Sequence, residues 1–215
     1  RSEPPISEHT MARRTKEDAQ LTRDAILDAA EQVFRDKGVA RTRMEDIAHS
    51  ANCTRGAIYW HFKNKTDVLL AMSERIIMPL YDSITHLLAT PQADPLGAWH
   101  DHLLGSVQKI EIDSQQQNAC DILINRCEMS SELEPLRQLE RQRSKFFVDS
   151  TRRMLERAQA AGQIRPDADL TTAALAMHGI THGLIMLWLR QGNTFPLRCS
   201  VASSIALLLH GIRQD

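Results

Sequence analysis

Chemistry-bearing motifs are what this 215-residue chain has least of. Its four cysteines, Cys53, Cys120, Cys127 and Cys199, show neither zinc-ligand spacing nor a disulfide framework. On one helix, Cys120 and Cys127 would lie roughly 10 Å apart along the axis, beyond disulfide reach. A reducing cytosol is therefore expected. No G-x-S-x-G, Walker A or G-x-G-x-x-G pattern occurs. An enzyme thus has no motif support, and no cofactor is expected. His178 and His182 stand four apart, a spacing that can co-ligate a metal. No Glu follows His178 and no third ligand is apparent, so no metal site is assigned. No N-terminal signal peptide is visible. The longest apolar run, Ala173 to Leu189, contains His178, Thr181 and His182 and falls short of the ~20 residues that span a bilayer. A soluble, cytoplasmic protein is the expectation. Alternating strand-type runs are missing as well, which points to an all-α fold.

An excess of one charge is also lacking. The net charge of −1 excludes a uniformly basic nucleic-acid binder. Its distribution is uneven, however. Residues 11–65 carry 11 Lys/Arg against 8 Asp/Glu, or +3, and residues 66–215 carry 14 against 17, or −3; residues 1–10 supply the remaining −1. A basic module on an acidic body implies nucleic acid at one end only. Residues 1–10 are polar, Pro-containing and aperiodic, and read as disordered or as a remnant ahead of a natural start at Met11. The basic stretch Ala12–Lys16 reads either as a solvated helix lead-in or as an arm for phosphate or the minor groove.

From Glu17 the pattern turns helical, with Ala19, Ile26, Ala29, Ala30, Val33 and Phe34 on one face. Gly38 stops this helix. Thr42 with Glu45 predicts a capping box for a second helix through Ile47, Ala48 and Ala51. Ser50 to Cys53 leaves room only for a tight turn, and Thr54 caps a third helix. Ala57, Ile58 and Phe62 are expected to pack inward. Two short helices across a tight turn, supported by a longer one, make a helix-turn-helix. Arg55 lies one position past the cap, where such helices touch bases, and an arginine there can bond guanine bidentately. Gly56 leaves room for the nucleic-acid backbone. Trp60 is the member of this segment for which the alternative, a mainly structural role, is strongest. Asn64 caps a fourth helix to about Leu88, kinked at Pro79. Further helices are expected over Pro95–Ile112 behind Asp94, Ser114–Cys127, Pro135–Ala161, from Asp169 through Leu189, and from about Pro196 to Ile212. That predicts an N-terminal DNA-binding domain, residues 11–65, of three helices, and a C-terminal domain, residues 66–215, of six.

The segment T-R-G-A-I-Y-W-H-F-x-N-K at residues 54–65, with Gly38-Val39 before it and Asp46-Ile47-Ala48 between, resembles the TetR family of bacterial one-component regulators. Residues 11–18, MARRTKED, with Cys127-Glu128 and Gly183-Leu184-Ile185, resemble its AcrR-like multidrug-efflux branch. The resemblance is most specific over residues 13–70. Cys53 departs from it, standing where the family usually has an aliphatic residue in the turn; a small hydrophobe fills that place.

The resemblance implies that Thr54, Tyr59, Trp60, His61 and Lys65 bond or pack against phosphates beside Arg55 and Gly56, and that Thr42 and Arg43 do the same. It implies a homodimer through the last two long helices, where Gly179 and Gly183 permit close approach; intrachain core is the other reading of those helices. Two recognition helices are also what half-sites about 34–36 Å apart require. The body carries Met72, Met78, Met177 and Met186 with Trp99, Phe146, Phe147 and Trp188, which suit an adaptable apolar pocket or an ordinary core. By resemblance, Cys120, Ile124, Met177, His178, Thr181 and His182 line an effector cavity. The function implied is a repressor on a palindromic operator, controlling a multidrug efflux operon and released by hydrophobic or cationic drugs. A redox- or metal-responsive regulator of another operon, or a helical enzyme or carrier with a vestigial DNA module, are the competing readings.

Overall fold

The computed structural model describes residues 8–127 and 133–213, with side chains from Glu17 onward. The first helix, α1, spans Glu8–Lys37, so it begins well before Glu17. No Gly or Pro lies between Glu8 and Lys37, and charged, helix-favouring residues extend the element. The stretch Ala12–Lys16 therefore has helical backbone, and Glu8 to Thr10 are helical too; residues 1–7 lie outside the described residues. Ile26, Leu27, Ala30, Val33 and Phe34 bury one face of α1. Gly38 ends it at φ +77°, its N–H bonded to the Phe34 carbonyl at 2.9 Å, the left-handed position that glycine occupies at no steric cost.

Helices α2 (Met44–Ser50) and α3 (Arg55–His61) follow, joined by a turn in which Asn52 takes φ 50°. The cap of α2 differs from the expected Thr42–Glu45 box. Arg43 is the N-cap, and Asp46 reaches back to accept its N–H at 2.9 Å. Thr42 turns inward instead, donating its hydroxyl to the Gly38 carbonyl at 2.7 Å. Helix α4 (Lys65–Ala89) is capped by Asn64, which accepts the Asp67 N–H at 2.9 Å, and continues past Pro79 to its end. Helix α5 (Pro95–Ile112) opens behind Asp94, with Pro95 in its first turn. Helix α6 (Ser114–Asp121) does not run on to Cys127 as expected; it widens into a π-helical turn over Ile122–Arg126. Helices α7 (Glu134–Ala160), α8 (Leu170–Arg190) and α9 (Leu197–His210) complete nine α-helices among the described residues, with no strand among them.

Two hydrophobic clusters form. The first joins α1, α2 and α3 to the start of α4, with Ile122 and Leu133 reaching in from the body. The second joins the end of α4 to α5, α7, α8 and α9. Helix α4 thus belongs to both, burying Val68, Leu69 and Met72 in one and Ile84 in the other. A polar seam lies between α1 and the body. Arg75 pairs with Asp28 at 2.6 Å and faces Glu31 at 3.7 Å, while Asn118 donates to Glu31 at 3.0 Å. Burial holds the Glu31 carboxyl above its ordinary range, opposed by Asn118 and Arg75.

Helix α8 extends beyond the apolar run Ala173 to Leu189 at both ends and, by length and composition alone, is long and apolar enough to cross a membrane. It buries Ala173, Ala174, Met177 and Trp188 against its neighbours, while Leu175 and Leu187 face outward at 55% and 44% exposure.

Candidate nucleic-acid interface and effector site

Helix α3 is pinned from below and open above. Ile58 is fully buried and Phe62 nearly so, whereas Ala57, expected inside with them, is only half-buried. Thr54 accepts the Ala57 N–H at 3.1 Å, which fixes the start of the helix. The residues between these anchors project outward. Thr54, Arg55 and Gly56 are exposed, as are Tyr59 at 42% and Trp60 at 73%. The large exposure of Trp60 goes against the structural alternative for it. With Ile58 and Phe62 taking the buried face, the intervening positions turn away from the core. Trp60 meets His61 edge-on at 4.5 Å between ring centroids. His61 is half-buried, and burial, then the nearby Arg23, lowers its pKa. It therefore favours the neutral imidazole.

Arg55 is held from two sides. Its Nε lies 3.3 Å from Glu45 on α2, and its guanidinium sits 5.7 Å from the Tyr59 ring centroid. Both partners are solvent-accessible, so the ion pair contributes at most about 1 kcal/mol. It orients the arginine without locking it.

The other phosphate candidates divide. Arg43 is exposed beside α3. Thr42 is 1% exposed with its hydroxyl bonded internally, so its side chain serves the turn and not an outside partner. Lys65 donates to the Val39 and Ala40 carbonyls at 2.9 and 3.1 Å, which ties α4 to the turn after α1. An open cleft gathers Arg41, Arg43, Tyr59, Lys63 and Lys65 along one rim. Arg41 was not among the residues singled out from the sequence. Its only signal there is charge, and which cations converge is set by how the turns before α2 and α4 come together.

The effector candidates lie in the body. Met177 is 2% exposed. His178 stacks between Phe147 at 6.1 Å and His182 at 6.0 Å, while Tyr81 on α4 meets Phe147 at 5.6 Å. Burial, then His182, lowers the His178 pKa. Thr181 has a buried hydroxyl with no hydrogen-bond partner, and His182 is exposed. Cys120 and Ile124 are half-buried, but the π-turn starting at Ile122 breaks the α-helical register that would put them on one face. None of the six lines the cleft at α3, nor a second cleft at the far end of the body around Asp94, His100, Gln163, His210 and Arg213. Burial pushes the Cys120 and Cys127 thiols up to about 11 and also raises Cys53, which disfavours thiolate chemistry at all three. The described residues hold no group of three His, Cys, Asp or Glu placed for a metal.

Residues 26–72 match the bacterial regulatory proteins of the tetR family, and residues 94–212 match the C-terminal region of MAATS-type transcriptional repressors. The chain belongs to the TetR family. It is a transcriptional regulator, not an enzyme. Family regulators bind operator DNA and small-molecule effectors as dimers. The chain is 37% identical over 194 residues to the HTH-type transcriptional regulator TtgR of Pseudomonas putida, covering 87% of this chain and 89% of that one. Its fold superposes on NalD of Pseudomonas aeruginosa, the secondary repressor of the MexAB-OprM multidrug efflux pump, with a TM-score of 0.82 and 30% identity over 93% of this chain and 99% of that one. SmeT, the repressor of the Stenotrophomonas maltophilia multidrug efflux pump SmeDEF, has been solved with triclosan. That complex matches with a TM-score of 0.83 and 30% identity over 91% of this chain and 93% of that one. The resemblance, most specific over residues 13–70, thus runs through most of the chain.

Proposed function

We propose that this TetR-family chain is a cytoplasmic, homodimeric repressor of a multidrug efflux operon, released by a drug-like effector bound in its body. The observation that carries the reading is α3. It is a short helix anchored by Ile58, with arginine, tyrosine and tryptophan on its solvent face, on a chain whose relatives repress efflux pumps. Arg55 reads a base in the major groove, and Arg43, Thr54, Gly56, Tyr59, Trp60 and His61 meet the backbone around it. Thr42 and Lys65 act one step back, holding the turn and the start of α4.

Dimerisation uses the outward faces of α8 and α9. Leu175, Leu187 and Leu207 are 55%, 44% and 78% exposed. A methyl group added at Gly179 or Gly183 would meet nothing within the chain, so the space beside α8 is open to a partner helix. The effector, a hydrophobic or cationic compound, occupies the body near Cys120, Ile124, Met177, His178, Thr181 and His182. It must bind the DNA-incompetent arrangement more tightly than the competent one, because only differential affinity shifts the equilibrium. Helix α4, shared by both clusters, carries that difference. A mobility-shift titration with efflux substrates at fixed salt is the test. Falling operator affinity is expected, and unchanged affinity across a broad panel would exclude induction.

A further inference from the structure

Arg143 is 7% exposed, on the face of α7 that meets α4 and α8. Its Nη1 donates to the Ser73 hydroxyl, and its Nε has no hydrogen-bond partner. Among the described residues no carboxylate oxygen lies within 4.0 Å of the guanidinium. An arginine cannot shed its proton under ordinary conditions, so this is a buried cation whose carboxylate neighbours, Glu140 and Glu74, stand beyond direct ion-pair distance, an arrangement that a directly bound anion would relieve.

The surroundings form a closed circuit. Glu140, Arg143 and Phe147 fall on one face of α7, and Ser73 and Tyr81 on one face of α4. Met177, His178, Thr181 and His182 fall on one face of α8. Tyr81, Glu140 and Glu74 are all close enough to Arg143 to interact with its charge, and Glu140 likewise with His182. The rings of Tyr81, Phe147, His178 and His182 close the other side in sequence. The circuit thus pairs a planar cation with a run of rings, edge-to-face from Tyr81 to Phe147 and stacked from Phe147 through His178 to His182, and Thr181, on the same face of α8 as the two histidines, adds a buried hydroxyl without a partner.

We propose that Arg143 anchors the effector, and that the effector class is a planar aromatic compound bearing an anionic oxygen group, a carboxylate or phenolate. The Nε edge of the guanidinium offers parallel N–H donors to two oxygens, a geometry an ammonium-bearing compound cannot use. The aromatic body lies along Phe147 and His178. This rests on the effector reading above and narrows it away from cationic drugs.

The test uses the full chain and three probes of one shape: 2-naphthoate, 2-naphthylmethanol and 2-naphthylmethylammonium, titrated calorimetrically. The carboxylate should bind about tenfold or more tightly than the ammonium, as charge-assisted bidentate bonds require. Arg143→Gln should abolish that preference while leaving 2-naphthylmethanol within about twofold. Arg143→Lys, which keeps the charge but loses the fork, should restore part of it and replaces the glutamine variant if the latter does not fold. Equal or tighter binding of the ammonium, a preference that survives Arg143→Gln, or loss of all three probes together would overturn the assignment. So would absence of naphthoate binding at about 1 mM. Naphthoate that binds without weakening operator affinity would remove the effector reading and leave the anchor. A cationic compound that releases operator equally from wild type and Arg143→Gln, with naphthoate unbound, would do the reverse.

Discussion

Helices α3 and α8 each leave one face uncovered, and the two faces have opposite chemistry. On α3, the outward residues include Arg55, Tyr59 and Trp60 above a buried Ile58. On α8 they include Leu175 and Leu187, with Gly179 and Gly183 between them, above a buried Met177. A cationic and aromatic surface keeps its charged groups hydrated while free and can exchange that water for phosphate oxygens. An outward apolar face on a helix as hydrophobic as α8 exposes surface that burial would stabilise by about 25 cal/mol per Å². The first surface therefore suits the nucleic acid proposed for it and the second the proposed partner helix. Neither could exchange roles with the other.

The largest expected effect comes from removing the apolar partner surface. Leu175→Glu combined with Leu207→Glu places two charges where the proposed second subunit packs. Sedimentation should show a monomer, and operator binding should fall by two orders of magnitude or more, on the order of what losing one of two half-sites costs. A dimer that survives both substitutions would move the interface away from α8 and α9. Arg55→Ala comes next. It should weaken operator binding by about 1–3 kcal/mol and relax preference at one base position, with thermal stability unchanged because the side chain is solvent-exposed. Together the two variants separate the surfaces: the first alters assembly, the second only recognition.

Trp60→Ala bears on the same division from inside α3. A core tryptophan would cost about 3–5 kcal/mol on truncation. At 73% exposure the expected loss is within about 0.5 kcal/mol, while mobility shifts should show weaker operator binding. A large drop in melting temperature would favour the structural alternative for Trp60. Thr54→Ala is expected to cost about 1 kcal/mol through the lost cap, measurable in urea unfolding.

What was legible in the sequence follows from the range of the forces involved. Gly38, Asn64, Asp94 and Asp169 marked helix ends correctly because capping is decided within a few residues. The recognition segment was legible because arginine, tyrosine, tryptophan and histidine crowd into two turns. For Trp60 size alone left a core role open, whereas its angular position between Ile58 and Phe62 decides exposure. The α2 cap slipped by one residue because Thr42 found a nearer acceptor in the Gly38 carbonyl, leaving Asp46 to close on Arg43. The body was less readable. The π-turn at Ile122–Arg126 has no glycine or proline to announce it, and the buried Arg143 looks in sequence like any other charge on α7. Its significance depends on Ser73 and Tyr81, some seventy residues away on another helix. The same holds for the seam of Arg75, Glu31 and Asn118, whose members come from three helices.

The smallest effect concerns how α2 is held beneath α3. Asp46 accepts from Lys37 Nζ at 2.9 Å and from the Arg43 N–H at 2.9 Å, and these bonds, the lysine's first, hold its carboxyl below the ordinary aspartate range. A lowered pKa means that the folded chain prefers the ionised group. Its stabilising contribution is therefore complete above the unfolded-state value near about 3.9 and disappears as pH falls through the lower folded-state value. Asp46→Asn removes the charge at every pH. The stability difference between wild type and Asp46→Asn should be constant from neutral pH down to the ordinary aspartate range and then shrink on further acidification, followed by urea unfolding at a series of pH values. A difference that instead grew with acid would mean that Asp46 is not ionised by preference in the folded state. The Lys37 contact would then follow from the fold of α1 onto α2 instead of helping to hold it, and the frame beneath the recognition helix would rest on Met44, Ile47 and Ile58 packing alone.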